Sequence, residues 1–370
     1  MLRLEPRPEP SRQMMFASPL MAAVLMLVSG YVIFSIMGQP PLYAFYIFFI
    51  DPLTSLYGIG EWLLKATPLI LCGIGLAIGF RARVWNIGAD GQLTIGAIAG
   101  GGVALYFQGV NAFWLLPLVL LAGVAGGMAW AAVPAFLRTR FNTSEILVSL
   151  MLVYVSYLLL RYLVNGPWRD PFGFNFPQSA MFHEAAMLPL LFDGLRTNAA
   201  FILALLLVVL AWFFCQKMTA GFRMQVSGEA PAAAAYAGFS DKRNVWLALL
   251  ISGGSAGLAG VAEVAGPLGQ LQPAVSSGYG FAAIIVAFVG RLHPLGVLLA
   301  SLLMSLLYLG GEAAQLELGL PSAITGLFQG LLLFYLLAAD LFIHFRLKKV
   351  QPPAAEAPAT SSTTSPSEAV

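Results

Sequence analysis

Two polar interruptions break otherwise apolar stretches of this sequence. The first, residues 85–92, reads WNIGADGQ, and the second, residues 263–270, reads EVAGPLGQ and is followed by SSGYGF at 276–281. Each interruption combines a carboxylate, Asp90 or Glu263, with amide side chains and glycines. Carboxylates and amides offer charge and hydrogen bonds, so the chemistry that they predict is the binding of a polar solute.

The surrounding sequence is that of a membrane protein. Of the 370 residues, 59% are hydrophobic and 10% are charged, whereas soluble domains have about 25% charged residues. Apolar stretches long enough to cross a hydrocarbon core of ~30 Å recur along the chain. The net charge of +2 gives no sign of a nucleic-acid partner, because the basic residues lie in short connectors.

The predicted fold class is an all-α polytopic membrane protein with about ten transmembrane helices, or between about eight and ten. The predicted spans are 14–37, 59–80, 88–108, 113–135, 144–164, 197–216, 244–265, 274–290, 292–312 and 322–345. Lysines and arginines mark the connectors on the cytoplasmic side, so both chain ends are expected in the cytoplasm. The apolar piece 41–50 is predicted to be re-entrant or interfacial.

The chain divides into a cytoplasmic segment over 1–13, a transmembrane domain over 14–350 and a tail over 351–370. The tail is rich in Pro, Ala, Ser and Thr and is expected to be disordered. Ten spans split five and five, which would invert the second half relative to the first. The outer loop 165–196 is either a docking face for a partner or a cap.

The polar interruptions predict broken helices. Irregular backbone survives at membrane depth only when it is buried in protein or lines a wet cavity. Asp90 and Glu263 would then be functional residues inside the bundle. The alternative is that both interruptions are interfacial loops and that Asp90 caps the helix that follows it.

Few other side chains point to a site. Cys72 and Cys215 lie in apolar segments and are expected to be core residues. His183, His293 and His344 have no metal-ligand spacing, so neither a metal site nor a cofactor is predicted. No lysine stands in a phosphate-cradling G-x-x-x-x-G-K-[ST] motif, which excludes ATP hydrolysis through that motif.

The inner loop 222–244 predicts a short cytoplasmic helix. Its Ala-rich middle favours a helix that begins at Pro231 and stops at Gly238. The helix is either an ordinary connector or a coupling helix, which would lie in a cleft of a separate ATPase and transmit the closure of that ATPase to the membrane spans.

Three phrases of the sequence resemble the inner-membrane permease subunits of ABC importers for simple sugars, nucleosides and branched-chain amino acids. The likeness is strongest to nucleoside permeases that work with basic-membrane-protein-like binding lipoproteins. Residues 85–92 resemble F-N-I-G-A-E-G-Q, residues 228–239 resemble G-x-x-P-x-A-A-x-x-A-G-[IF], and residues 278–296 resemble G-x-G-F-x-x-I-A-V-A-x-x-G-R-x-x-P-x-G. The departures are Trp85 for Phe, Asp90 for Glu and Ile285 for Ala.

The resemblance implies a permease that moves nucleosides, or a related ribosyl compound or simple sugar, across the inner (plasma) membrane of a bacterial cell. The implied partners are a cytoplasmic ATP-binding-cassette ATPase, a second and different permease chain, an extracytoplasmic solute-binding protein and membrane lipid. The chain itself would not be an enzyme, since the partner subunits would hydrolyse ATP.

Two sets of residues follow from the resemblance together with the interruptions. The expected solute path comprises Trp85, Asn86, Asp90, Gln92, Glu263, Gln270, Tyr279 and Phe281. The residues expected to couple to the ATPase are Gly228, Glu229, Pro231, Ala233, Ala234 and Gly238.

A second class of function stays open from the residues alone. An ion-gradient-driven secondary transporter would use Asp90 or Glu263 as its coupling carboxylate, but it would have no use for the Ala-rich inner loop. An intramembrane enzyme would need an assembled catalytic set, which the sequence does not show.

Overall fold

The computed structural model describes residues 2–6, 12–192 and 194–349, so the tail predicted over 351–370 lies outside the described residues. The helices are α1 (Arg12–Ile36), α2 (Pro41–Phe45), α3 (Leu56–Arg81), α4 (Ala89–Tyr106), α5 (Leu115–Phe141), α6 (Glu145–Asn165), α7 (Ala200–Lys217), α8 (Thr219–Glu229), α9 (Pro231–Tyr236), α10 (Asp241–Glu263), α11 (Tyr279–Val289), α12 (Pro294–Leu318) and α13 (Ala323–His344). Two π-helical turns, Tyr46–Ile50 and Val264–Leu268, extend α2 and α10.

The structure confirms the all-α polytopic class. Among the described residues, 7 helices are long and apolar enough to cross a membrane, namely α1, α3, α5, α6, α7, α10 and α12. The three remaining predicted spans coincide with α4, α11 and α13, so the count of ten crossings stays a prediction. The piece predicted to be re-entrant, 41–50, forms α2 and a π-helical turn.

The two chain ends meet in a short ladder that the sequence analysis did not predict. Strand β1 (Leu2–Pro6) pairs antiparallel with β2 (Phe345–Lys349), with Leu2 opposite Lys349. In the sequences LRLEP and FRLKK, apolar and charged residues partly alternate, as in a half-exposed strand. The ladder places both ends on one side of the helices, as an even number of crossings requires.

The predicted cytoplasmic connectors lie together at one end of the molecule. Arg81, at the end of α3, donates from Nε to the Leu292 carbonyl oxygen at 2.8 Å. Arg291 donates to Ser18 Oγ in the first turns of α1 at 2.5 Å. At the opposite end, Thr197 Oγ1 donates to the Gly60 carbonyl oxygen at 3.0 Å. These contacts group the predicted inner connectors at one end and the outer loop at the other, and which end is cytoplasmic stays a prediction.

Helices α3 and α10 form the centre of the bundle. In their most apolar stretches 89% and 72% of residues are buried, against 22% in α1, α5, α6 and α7. The outer helices therefore keep one face toward lipid, while α3 and α10 are surrounded by protein. The two polar interruptions follow these two central helices directly, so both are placed inside the bundle.

Glycines bring α4, α5 and α10 into backbone contact. A Cβ added at Gly257 of α10 would lie 2.3 Å from the Gly123 carbonyl oxygen and 3.0 Å from Gly127 Cα on α5. A Cβ added at Gly96 of α4 would lie 2.4 Å from Gly257 Cα. Small residues permit such close crossings between membrane helices.

We expect Gly257→Val to destabilise the chain, because no neighbouring backbone can move away from the new side chain. Overpacking of this kind costs about 1–3 kcal/mol or more. The measurements are the yield of membrane-inserted protein and its melting temperature in detergent. The control is Gly330→Ala, since an added Cβ there meets no described atom within 4 Å. Equal melting temperatures for the two variants would contradict this packing.

Candidate translocation site

The first half of the first interruption, residues 85–88, forms a non-helical segment between α3 and α4, and residues 89–92 form the first turn of α4. Asn86 is its centre: Nδ2 donates to Gln92 Oε1 at 2.7 Å and to Ser252 Oγ of α10 at 2.8 Å. Asn86 Oδ1 accepts from the Gly88 backbone N–H at 3.0 Å and from Gln92 Nε2 at 3.1 Å. The amides of Asn86 and Gln92 thus bond to each other, and Asn86 also bonds to the Gly88 N–H of the non-helical backbone. Buried polar groups at this depth require such partners.

Trp85 lies at the cytoplasmic end of this segment. Its ring centroid is 5.1 Å from that of Phe80 and 5.9 Å from that of Phe288 on α11. Its backbone N–H donates to Glu145 Oε1 at 3.3 Å, and Glu145 also forms an ion pair with Arg138. The segment is therefore held between α3, α6 and α11 by aromatic packing and by one carboxylate.

The second interruption follows α10 and leads into α11. The π-helical turn ends at Gly269, which has a φ of +70°, and α11 is preceded by Gly278, with a φ of +83°. The outer loop covers this break: the Ser179 and Phe182 N–H groups donate to the Leu271 and Gly269 carbonyl oxygens at 2.9 and 2.8 Å. The loop thus covers the second break, and its alternative role as a docking face for a partner stays a prediction.

Asp90 joins the two interruptions. Its Oδ1 accepts from the Gly280 backbone N–H at 2.7 Å and from Ser276 Oγ at 2.8 Å, and its Oδ2 accepts from the Tyr157 hydroxyl of α6. The carboxylate is completely buried. It therefore caps the N-terminus of α11, a helix of the predicted second half, where a negative charge is stabilised by the helix dipole.

Glycine at position 280 permits this junction. A Cβ on Gly280 would lie 2.2 Å from Asp90 N and 2.4 Å from Asp90 Cα. The N-termini of α4 and α11 thus meet in backbone contact inside the protein. The sequence analysis considered Asp90 as a path residue or as a cap on its own helix, and neither expectation included a bond to α11.

Charged residues gather on the outer side of this junction. Lys65 of α3 pairs with Glu312 of α12 at 2.8 Å, and Arg196 of the outer loop pairs with Glu61 at 3.4 Å. Glu263, at the end of α10, lies within electrostatic range of Lys65, Arg196 and Glu61. Charges of both signs thus surround the second predicted carboxylate.

The other residues predicted in the second half lie around this charged group. The ring of Tyr279 meets that of Tyr308 edge to face at 5.6 Å between centroids. Gln270 Nε2 donates to Gln178 Oε1 of the outer loop at 3.2 Å. Phe281 is exposed on the surface of α11.

The structure divides the predicted path residues into two groups. Asn86, Asp90 and Gln92 are buried and bonded within the chain. The others, Trp85, Glu263, Gln270, Tyr279 and Phe281, are spread along α10, α11 and the two breaks. The sequence analysis missed Tyr157, Ser276, Tyr308, Lys65 and Glu312. Lys65 and Glu312 carried a signal, since an ionisable residue inside a predicted span is a candidate by itself.

The inner loop forms α8 and α9, as predicted in part. Helix α9 begins at Pro231 and is followed by Gly238, with a φ of +75°. Ala234 is buried, whereas the other predicted coupling residues on α9 and beside it, Glu229, Pro231, Ala233 and Gly238, are exposed. Tyr236, which the sequence analysis did not select, is 97% exposed.

Gly228 connects this loop to the first interruption. A Cβ added at Gly228 would lie 2.1 Å from the Arg81 carbonyl oxygen and 3.2 Å from the Ala82 carbonyl carbon. Helix α8 thus rests on the backbone that leads into the segment around Asn86. A displacement of α8 and α9 would act directly on that segment.

The chain is similar over most of its length to permeases of known transport systems. Residues 58–337 match the family described as the permease component of the branched-chain amino acid transport system. A glucose ABC transporter permease of Haloferax volcanii is 36% identical over 94% of this chain and 93% of its own length. A guanosine ABC transporter permease of Bacillus subtilis is 32% identical over 90% of this chain and 96% of its own length.

A nucleoside ABC transporter permease of Lactococcus lactis is 29% identical over 90% of this chain and 93% of its own length. No solved structure matches the chain. The resemblance inferred from the three phrases is confirmed by the family match and by these relatives. The chain belongs to the branched-chain amino acid transport system permease family and is a multi-pass membrane permease subunit of an ABC importer.

Proposed function

We propose that this permease carries a nucleoside, or a related ribosyl compound or simple sugar, inward across the membrane. The observation that carries the proposal is the contact chain from α8 through Gly228 to Arg81, and from there to the break at Asn86 and Asp90. It connects a cytoplasmic segment with both broken helices. The names of the relatives, which include guanosine, nucleoside and glucose permeases, support the solute classes.

The proposed partners supply ATP hydrolysis, solute delivery and a second permease chain. A cytoplasmic ATP-binding-cassette ATPase would hold α9, and a solute-binding protein would deliver the solute at the outer end. A second permease chain, different from this one, would complete the path, as the resemblance to ABC importer permeases implies. ATP hydrolysis is assigned to the partner, because the relatives of this chain are named as permease components of ABC transporters.

The two groups of predicted path residues receive different roles in this proposal. Asn86, Asp90 and Gln92 hold the broken helices in place, because their polar atoms are already occupied. Glu263 and Tyr279 lie on the outer side of the junction and offer a carboxylate and an aromatic hydroxyl to a neutral solute. Trp85 lies on the cytoplasmic side, where a solute would leave the junction.

The test is uptake of radiolabelled guanosine and of glucose by cells that express the complete transporter. We expect uptake of one of them to fall to background when the ATPase subunit is replaced by a form that binds ATP without hydrolysing it. The control is the same cell with the active ATPase. Uptake that survives with the inactive ATPase and collapses with an uncoupler would instead establish an ion-gradient-driven transporter.

A further inference from the structure

A polar notch opens between the outer ends of α12 and α13. It has a volume of 320 Å³ and is lined by Ser277, Tyr308, Glu312, Gln315, Ser322, Thr325, Gly326 and Gln329. We call this set the outer notch. All lining residues except Gly326 have polar side chains, although both helices belong to predicted membrane spans. Lipid chains would not favour such a lining.

The outer notch leads from the surface toward the second interruption. Gln315 and Ser322 lie near the turn between α12 and α13, whereas Tyr308 and Gln329 lie two helical turns deeper, or about 10 Å. At the floor, the Tyr308 hydroxyl donates to the Ser277 carbonyl oxygen at 3.4 Å. The preceding residue, Ser276, is bonded to Asp90. The notch therefore ends beside the junction of the two broken helices.

The deepest amide of the outer notch has unused hydrogen-bonding capacity. Gln329 is 9% exposed, and its Nε2 has no partner of ordinary hydrogen-bond geometry among the described residues; the Tyr308 hydroxyl is the group that interacts with this side chain. A buried donor without a partner is unfavourable, so a bound oxygen atom would stabilise it. Glu312 presents a carboxylate to the same space, since its side chain is half exposed beside Lys65.

We propose that the outer notch is the first solute site of this permease and that it binds the hydroxyl groups of a sugar or ribose moiety. This inference rests on the proposed function. A carboxylate, two amides and four hydroxyl groups can donate to and accept from several solute hydroxyls at once. The Tyr308 ring offers an apolar face, and the volume suits one small molecule. From this site a solute would pass to Glu263, Tyr279 and the junction.

The first experiment replaces Gln329 by Leu, which keeps the size of the side chain and removes its donor. Uptake of radiolabelled guanosine and glucose is measured well below the saturating solute concentration with the complete transporter. We expect the rate for the transported solute to fall by about tenfold, the equivalent of one hydrogen bond. The matched control is Ser301→Ala, since Ser301 Oγ is also buried without a partner among the described residues but lies outside the notch.

The second experiment tests occupancy directly. Gly326→Cys, in a Cys215→Ser background, places a thiol in the notch, where an added Cβ meets no described atom within 4 Å. We expect a membrane-impermeant thiosulfonate reagent to react more slowly when the binding protein is loaded with solute than when it is empty. Glu317→Cys, exposed on α12 outside the notch, is the control and should show no such difference.

Each outcome decides one claim. Equal uptake by Gln329→Leu and Ser301→Ala, together with equal reactivity of Gly326→Cys with loaded and empty binding protein, would overturn the notch while leaving the importer intact. In another outcome, the second permease chain would shield Gly326→Cys from the thiosulfonate reagent both with and without solute. That result would show that the notch is a subunit interface and would also overturn the proposal. Absence of ATP-dependent uptake by the wild-type transporter would overturn the proposed function and the notch together.

Discussion

Replacement of Tyr236 by alanine is expected to abolish solute uptake while leaving the permease folded. Tyr236 is 97% exposed at the end of α9, so its side chain contributes little to the stability of the isolated chain. A large exposed aromatic residue beside a small Ala face has the character of an anchor for a protein groove. Truncation of such an anchor costs about 2 kcal/mol or more of binding free energy, which corresponds to a loss of at least about 30-fold in affinity.

The measurements are co-purification of the ATPase, solute uptake and the melting temperature of the permease. We expect the first two to be lost and the third to be unchanged. Phe113→Ala is the matched control, because Phe113 is a comparably exposed aromatic residue at the opposite end of the molecule, 94% exposed. Normal uptake by Tyr236→Ala would mean that α9 is an ordinary connector, which is the alternative that the sequence left open.

Substitution of Tyr236 separates coupling from folding, whereas substitution of Gly228 in the same loop does not. Gly228 packs against the Arg81 carbonyl oxygen, where an added Cβ would lie at 2.1 Å. A larger residue at position 228 would therefore disturb folding and coupling together, and loss of uptake would not distinguish between them.

The second large effect is expected for Asp90→Ala. The substitution removes the acceptor for the Gly280 N–H, the Ser276 hydroxyl and the Tyr157 hydroxyl at once. Buried donors that lose a partner cost about 1–3 kcal/mol each, so we expect a marked fall in melting temperature and the loss of uptake. Tyr157→Phe removes only one of these bonds and should lower stability by about 1 kcal/mol.

Asp90→Asn separates a structural role from contact with solute. The amide keeps one oxygen that can accept from the Gly280 N–H, so stability should lie between those of wild type and Asp90→Ala. If the role of Asp90 is to join α4 to α11, uptake by Asp90→Ala, Asp90→Asn and Tyr157→Phe should rise and fall with their melting temperatures. Wild-type stability of Asp90→Asn with no uptake would contradict this expectation and would place the carboxylate in contact with the solute.

The sequence alone was sufficient for the class of protein and for the places where its helices break. Membrane-spanning helices are predictable because each one depends on a continuous apolar stretch of its own residues. The bounds of α9 were equally predictable, because they depend on Pro231 and Gly238, which act within one or two helical turns. The breaks at 85–92 and 263–270 were visible because polar residues cannot remain in a lipid-facing helix.

Only the tertiary structure decided how the two breaks meet. Asp90 and Gly280 are 190 positions apart, and Asp90 and Tyr157 are 67 apart, so no local pattern could pair them. The paired strands at the chain ends and the outer notch arise in the same way from distant segments. The packing of neighbouring helices decides which polar side chain turns inward to hold the backbone, as Asn86 does, and which stays partly exposed, as Glu312 does. Burial is a property of the assembled bundle and not of the residue type.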